Sequence, residues 1–241
     1  MILDPRLRGG DMARLVLPTA IGALMYRLLK RVFDILIAGA LLVILSPVLL
    51  AVAAAIRLGS RGPALFRQER AGQGGSPFTL YKFRTMLLDV DPFGPSPKSG
   101  EDPRLTRLGR CLREHSLDEL PQLLNIVKGD MSLVGPRPLY MSQVPEWNER
   151  QKKRLLVKPG LTGLAQISGR ADLTLEKKLE LDVAYVERAG LRLDCCVLAI
   201  TAARLFSRGG VYEKRYSQAE ETRGDAAPDQ NEGSRPQSDS L

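Results

Sequence analysis

The run ILIAGALLVILSPVLLAVAAAI, residues 35–56, decides the architecture. Its 22 residues carry no charge, and they are long enough to cross a hydrocarbon layer about 30 Å thick. A helix buried in a globular core would show a polar face, and this one shows none. About thirty residues precede it and it exceeds the usual apolar region of a secretory signal, so a cleavable signal fits poorly. Membrane contact follows. Ser46 and Pro47 stand at the centre of the run, where proline removes a backbone donor and crowds the preceding turn, predicting a kink or break. Lys30 and Arg31 precede the run and Arg57 and Arg61 follow it, a flanking pattern that places both ends in the cytoplasm. Each half spans roughly 16 Å at 1.5 Å per residue, which reaches about the bilayer midplane. The expectation is a re-entrant helix-break-helix with Ser46 and Pro47 as the membrane break. A single kinked span is the alternative.

Outward from this segment, 241 residues suffice for one domain plus a membrane element. Hydrophobic residues make up 44% and charged residues 26% of the chain, with 5% aromatic; this excludes wholesale disorder, a collagen-like fibre and a polytopic membrane protein. Cys111, Cys195 and Cys196 cannot form a disulfide framework, and the single His115 excludes a His-rich zinc site. The net charge is +8, but the last 25 residues hold six acids and two bases, so residues 1–216 carry +12. That surplus favours an anionic partner: nucleic acid, phospholipid headgroups or a phosphorylated substrate.

Four segments are expected: an N-terminal extension over 1–24, with Met25 as an alternative start, a membrane segment over 25–60, a catalytic domain over 61–216, and a disordered acidic tail over 217–241. The fold class is α+β, mainly helical. Residues 64–66 and 78–83 predict two strands of a hairpin around AGQGGSP. Glycines 72, 74 and 75 lack the GKS or GKT ending of a phosphate loop. Residues 89–100, with three prolines and two glycines, predict a loop over a site. Helical spacing appears over 118–127, and amphipathic helices are predicted over 143–158 and 174–189. A further helix over 191–206 could pack on the core or lie in the membrane interface.

The chemistry-bearing residues concentrate between Arg104 and Arg137. Basic residues at 104, 107, 110, 113, 128 and 137 flank the adjacent acids Asp118 and Glu119, a composition suited to phosphate handling. Pro121 is tolerated only in a first helical turn, which puts Asp118 or Glu119 near a helix N-terminus, where anions are favoured. An ionised aspartate there could serve as nucleophile or magnesium ligand. Ser116 with Glu119 three residues on also spells a capping box. Arg137 is held between two prolines in GPRP, suiting bidentate phosphate binding or a structural salt bridge. Lys82 and Arg84 alternate with apolar residues in LYKFRTM, facing a common pocket or solvent. Asp89-Val90-Asp91 matches the DxD metal motif of nucleotide-sugar glycosyltransferases, a triplet that arises easily by chance.

Taken together, these residues resemble the bacterial sugar transferase family, the monotopic polyprenyl-phosphate phosphoglycosyltransferases that initiate exopolysaccharide and O-antigen synthesis. The resemblance runs in order over 26–216, through KRVFD at 30–34, the Ser46-Pro47 break, LYKFRTM at 80–86, SLDELPQLLNIVKGDMSLVGPRP ending at Pro138, KPGLTGLAQISGR at 158–170 and LDVAYVE at 181–187. It implies ping-pong transfer of a phospho-sugar from a UDP-sugar to undecaprenyl phosphate, with UMP released. Asp118 would be the nucleophile and Glu119 its catalytic partner, orienting or deprotonating the acceptor phosphate. Mg2+ would be held partly by Asp118. Arg113 and Arg137 match family positions associated with phosphate and nucleotide binding. The resemblance further implies a re-entrant helix in the bacterial inner membrane, contact with phospholipids and a catalytic domain on the cytoplasmic face. A DxD-type glycosyltransferase would release UDP instead. A nucleic-acid partner is not expected, because the basic residues cluster around carboxylates rather than forming a stripe with stacking aromatics. A homo-oligomer is compatible with the sequence, which leaves oligomeric state and the identity of the sugar open.

Overall fold

A computed structural model describes residues 20–91, 94, 97, 99–169 and 173–205. The N-terminal extension up to residue 19, the acidic tail, Arg170 and part of the proline-rich loop lie outside the described residues.

The first element, α1 (Ala20–Gly59), is a single helix of 40 residues that contains Pro47. The helix is thus unbroken at Ser46-Pro47, where a kink or break is expected. Pro47 cannot donate to the carbonyl of Val43 four residues earlier, but the Ser46 hydroxyl donates to that same oxygen at 2.8 Å, so the freed acceptor is satisfied and the helix continues. Residues 21–59 are long and apolar enough to cross a membrane, and only 6% of the most apolar window is buried against the protein. That low figure separates α1 from the core helix of a globular protein.

Strands β1 (Leu65–Ala71) and β2 (Pro77–Phe83) form the expected antiparallel hairpin, with Phe66 opposite Lys82, Gln68 opposite Leu80 and Arg70 opposite Phe78. Side chains alternate across a strand, so these six share one face. Helix α2 (Arg107–Glu114) follows, then a 3-10 turn over Leu117–Glu119 and the short α3 (Gln122–Lys128). The helix predicted from residue 118 thus begins four residues later, after Pro121. Beyond it, β3 (Ser132–Val134) pairs in parallel with β4 (Gly160–Thr162). Between them the predicted helix over 143–158 is replaced by 3-10 turns at Met141–Glu146 and Lys153–Leu156 flanking the four-residue α4 (Glu149–Lys152). Pro145 sits in the first turn and Asn148 starts a new helix by accepting from the Gln151 amide, which breaks the stretch. The described residues close with α5 (Leu164–Ser168), α6 (Leu175–Arg188) and α7 (Leu191–Leu205); the last two agree with the sequence reading to within a residue.

The main core gathers Leu80, Leu123, Ile126, Met131, Leu133, Val134, Tyr185 and Val197 around Ala38 of α1. A second cluster joins Ile56 of α1 to Phe83 and Leu112. Helix α1 therefore packs on the rest of the fold at both Ala38 and Ile56. Polar contacts reinforce this: buried Asp34 accepts from Ser132 Oγ at 3.1 Å and from the Leu133 amide at 2.9 Å, and Asp194 accepts from Tyr26 and Lys30 of α1 and from Tyr185 of α6.

The GPRP and KPG segments interlock through backbone. The Gly135 amide donates to Thr162 O at 2.9 Å and the Gly160 amide donates to Pro136 O at 2.8 Å. A Cβ at Gly160 would strike the Gly135 backbone, whereas one at Gly39 in α1 would meet nothing within 4 Å. Gly160→Ala is expected to lower stability by about 1–3 kcal/mol, while Gly39→Ala is expected to leave it unchanged or raise it by about 0.5–1 kcal/mol. Thermal unfolding of the two variants in detergent checks the contrast, and equal midpoints would show that the interlock has slack.

Candidate active site

The chain enters the site through Ser116, which adopts a left-handed conformation (φ 56°) rare for a residue other than glycine. This turns α2 into the 3-10 turn that carries Asp118 and Glu119. In that conformation the Ser116 side chain makes no cap hydrogen bond, and Glu119 does not reach back to it, so the predicted capping box is not formed. The Glu119 carboxylate instead receives Lys82 Nζ at 2.8 Å and Arg137 Nη2 at 2.7 Å on the same oxygen. Lys82 comes from β2 and Arg137 from the Pro136–Pro138 turn, so one carboxylate joins three segments remote in sequence. The Lys82 and Glu119 side chains are 20% and 18% exposed, and Arg137 is 46% exposed; the pair is sheltered on the Lys82 side and open on the other.

Asp118, only 8% exposed, makes no hydrogen bond or ion pair among the described residues. Its burial, and secondarily the negative charge of Glu119, push its pKa up to about 6 against the opposing fields of Lys82, Arg113 and Arg137. Glu119 goes the other way: burial would raise it, but Arg137 and Lys82 outweigh burial and hold it well below the usual carboxylate range. Burial draws the Lys82 ammonium down, partly offset by Glu119, while the Glu119 charge raises Arg137. Two adjacent acids thus acquire different roles from their environments. Glu119 is a fixed anion that orients two cations. Asp118 is an unpartnered carboxylate that burial makes a weaker acid than an ordinary aspartate.

A shallow cleft beside the dyad is lined by Arg70, Lys82 and Arg137 with Leu80, Gln122 and Pro138. Arg70 stacks over Tyr140, 3.6 Å from the ring centroid, and its Nη2 donates to Gln68. Sequence reasoning did not select Arg70. The signal was present, because Arg70 and Lys82 share the parity of the hairpin face that points inward.

Of the predicted site residues, the structure brings Lys82, Asp118, Glu119 and Arg137 together, and the field of Arg113 reaches Asp118. Arg84 is not part of the cleft. It is buried and donates to Ser60 O, Ser60 Oγ and Arg61 O, closing the C-terminal end of α1. Alternation with Lys82 lapses because β2 ends at Phe83. Of the other cations, Arg104 pairs with Asp102 and Lys128 with Asp130, while Arg107 and Arg110 are exposed on α2. Asp89 and Asp91 of the DxD triplet are exposed. Among the described residues no group of three or more His, Cys, Asp or Glu side chains could hold a metal ion. A magnesium ion bound through one carboxylate, with waters and substrate phosphates completing its shell, is compatible with the unpartnered Asp118 and needs no such group.

The dyad, the cations and α1 from Met25 onward fall within the part of the chain, residues 25–208, that matches the bacterial sugar transferase family. An uncharacterized sugar transferase, EpsL, of Bacillus subtilis (strain 168) is 46% identical over 193 residues, covering 80% of this chain and 95% of that protein. A UDP-glucose:undecaprenyl-phosphate glucose-1-phosphate transferase of Caulobacter vibrioides is 42% identical over 197 residues, 76% of this chain and 72% of that protein. An undecaprenyl-phosphate galactose phosphotransferase of Salmonella typhimurium is 39% identical over 201 residues, 77% of this chain but 42% of its relative. The match spans the long apolar helix, the acidic turn and the interlocked GPRP and KPG segments alike, and the chain belongs to the bacterial sugar transferase family.

Proposed function

We propose that this chain transfers a sugar 1-phosphate from a UDP-sugar to undecaprenyl phosphate in two displacements at Asp118. The observation that carries this reading is a buried carboxylate without a partner beside a cleft lined by three cations. Ionised Asp118 attacks the sugar-bearing phosphorus, the bond to the bridging oxygen breaks, and UMP leaves with the electron pair. An oxygen of undecaprenyl phosphate then attacks the same phosphorus, the aspartyl oxygen departs and the carboxylate is restored. Lys82, Arg137 and Arg70 bind the diphosphate and spread its charge, as donors aimed at developing negative charge do in phosphoryl transfer. Glu119 holds the first two in place. Its strongly acidic character suits it to orienting rather than deprotonating. Mg2+ held by Asp118 and phosphate oxygens would add charge neutralisation at the diphosphate.

The same reading places both ends of α1 on the cytoplasmic face, with the helix dipping into the apolar layer around Pro47. Two features support it. Asp34 and Ile56, at opposite ends of the apolar run, pack on one catalytic body, and the residues between them include Val43, Ile44 and Leu50, at 69–74% exposure. An unbroken α1 keeps residues 34 and 56 about 33 Å apart along its axis, so contact of both with one body means that the helix lies along that body rather than standing out of it. The acceptor phosphate lies at headgroup level, so a shallow helix keeps Asp118 within its reach.

Incubating detergent-solubilised protein with Mg2+, undecaprenyl phosphate and a panel of UDP-sugars should release UMP in an acceptor-dependent manner; UDP without UMP would replace this reading with ordinary glycosyl transfer. Asp118→Asn is expected to lower turnover by more than about 10³-fold while thermal unfolding and membrane association stay unchanged, and near-normal activity would remove Asp118 as the nucleophile. In the metal-free protein the Asp118 carboxyl carbon should titrate near 6. Glu119→Gln should lower that midpoint, since the variant deletes a charge that raises it; an unchanged midpoint would show that the two carboxylates do not interact. In a background with Cys111, Cys195 and Cys196 replaced by serine, Gly22→Cys and Arg61→Cys should label only from the cytoplasmic side. Periplasmic labelling of either would overturn the shallow topology.

A further inference from the structure

Helix α3 ends under a side chain from the membrane helix. Arg31 Nη1 donates to Ile126 O at 2.6 Å and Nη2 to Val127 O at 2.9 Å. The last carbonyls of a helix have no intrahelical donors and carry partial negative charge, so a guanidinium there satisfies both needs. Gly129, with φ 99°, closes the same end from within by donating to Asn125 O and Ile126 O. The other end of this seven-residue helix follows directly on Pro121 and the turn that bears Asp118 and Glu119. Along its flank Asn125, fully buried, accepts from the Tyr81 amide at 3.1 Å and donates to Thr79 O at 2.7 Å, which fixes α3 to the strand that carries Lys82. The neighbouring polar residues of α1 hold other parts of the fold: Lys30 reaches Asp194 and Asp34 reaches β3. Arg31 reaches the helix that follows the dyad.

We propose that Arg31 is a positioning residue: by clamping the C-terminal carbonyls of α3 it sets the height and rotation of the Asp118–Glu119 turn relative to the membrane helix. This rests on the function proposed above. The clamp acts from about 10 Å away, the length of seven helical residues, through a helix too short to flex independently. Arginine suits the task because its planar fork presents two donors to two successive carbonyls, whereas a lysine offers one compact charge.

Arg31→Gln, Arg31→Lys and, as a control, the exposed Arg57→Gln at the other end of α1 test the proposal in the full-length chain. With Mg2+, undecaprenyl phosphate and the preferred UDP-sugar, Arg31→Gln should lower kcat by about 10- to 100-fold, the scale of a small misplacement of reacting groups. The donor KM should stay within about twofold, Arg31→Lys should recover part of kcat, and Arg57→Gln should match the parent chain. Hydrogen exchange over residues 117–128, measured without substrate, should quicken in Arg31→Gln and not in Arg57→Gln. An unchanged kcat, an unchanged exchange rate, or equal impairment by Arg57→Gln would overturn the clamp. If Arg31→Gln does not fold, Arg31→Lys carries the test, and a parental kcat in that variant would overturn it. Exchange requires no sugar nucleotide, so it reads the clamp by itself, whereas absence of turnover in the parent chain counts against the proposed function alone.

Discussion

The carboxylate of Glu119 receives Lys82 from β2 and Arg137 from the Pro136–Pro138 turn on a single oxygen, and the placement of three distant segments depends on that shared contact. Two adjacent carboxylates in a sheltered site repel each other and resist ionisation. Two cations on Glu119 resolve this in one direction, keeping Glu119 charged and leaving Asp118 with the cost of burial. Removing Lys82 or Arg137 would therefore alter more than the charge lining the cleft, because the splitting of the two acids rests on the same contacts.

The membrane helix belongs to the catalytic body as much as to the bilayer. Tyr26, Lys30, Arg31 and Asp34 face it within three turns, and Ser60 at the far end accepts from Arg84. Lys30 and Arg31, which in the sequence look like a topological flank, both have protein partners. Tertiary contacts account for their place at the start of the apolar run. An anchor that also shapes the site leaves little freedom for the domain to swing on its tether.

Local signals in the sequence were sufficient where local physics decides. Alternation and the glycine-rich turn indicated the hairpin, though its first strand runs over Leu65–Ala71 rather than 64–66, helical spacing indicated α6 and α7, and adjacent acids amid cations pointed to the Asp118–Glu119 pair. They failed where a second contact or the end of an element overrides the pattern. The Ser116–Glu119 pattern reads as a capping box until Lys82 and Arg137, 37 and 18 residues away, claim the glutamate. Arg84 reads as a neighbour of Lys82 until the strand ends one residue before it. Pro47 reads as a break until the preceding serine supplies the missing donor. In each case the local rule is physically sound, and what outweighs it is a tertiary contact for Glu119, the end of a strand for Arg84 and a neighbouring hydroxyl for Pro47.

Arg137 shows why such contacts come in layers. Two prolines restrict its backbone, but restriction alone does not aim a side chain. Behind it, Arg154 donates through Nη2 to the Arg137 carbonyl and to Asp182 Oδ2, and stacks over Trp147 at 4.7 Å. Arg154 and Asp182 are almost wholly buried, and burial pushes Asp182 up to about 6 even against its cation. A buried ion pair of this kind adds little net stability over an apolar replacement, since desolvation offsets attraction. Its contribution is geometric. The Arg154 guanidinium ties α6 to the back of the GPRP turn through the Arg137 carbonyl, while the Arg137 side chain faces Glu119. A phosphate approaching the cleft meets cations already held in place, and little of its binding energy is lost to ordering them.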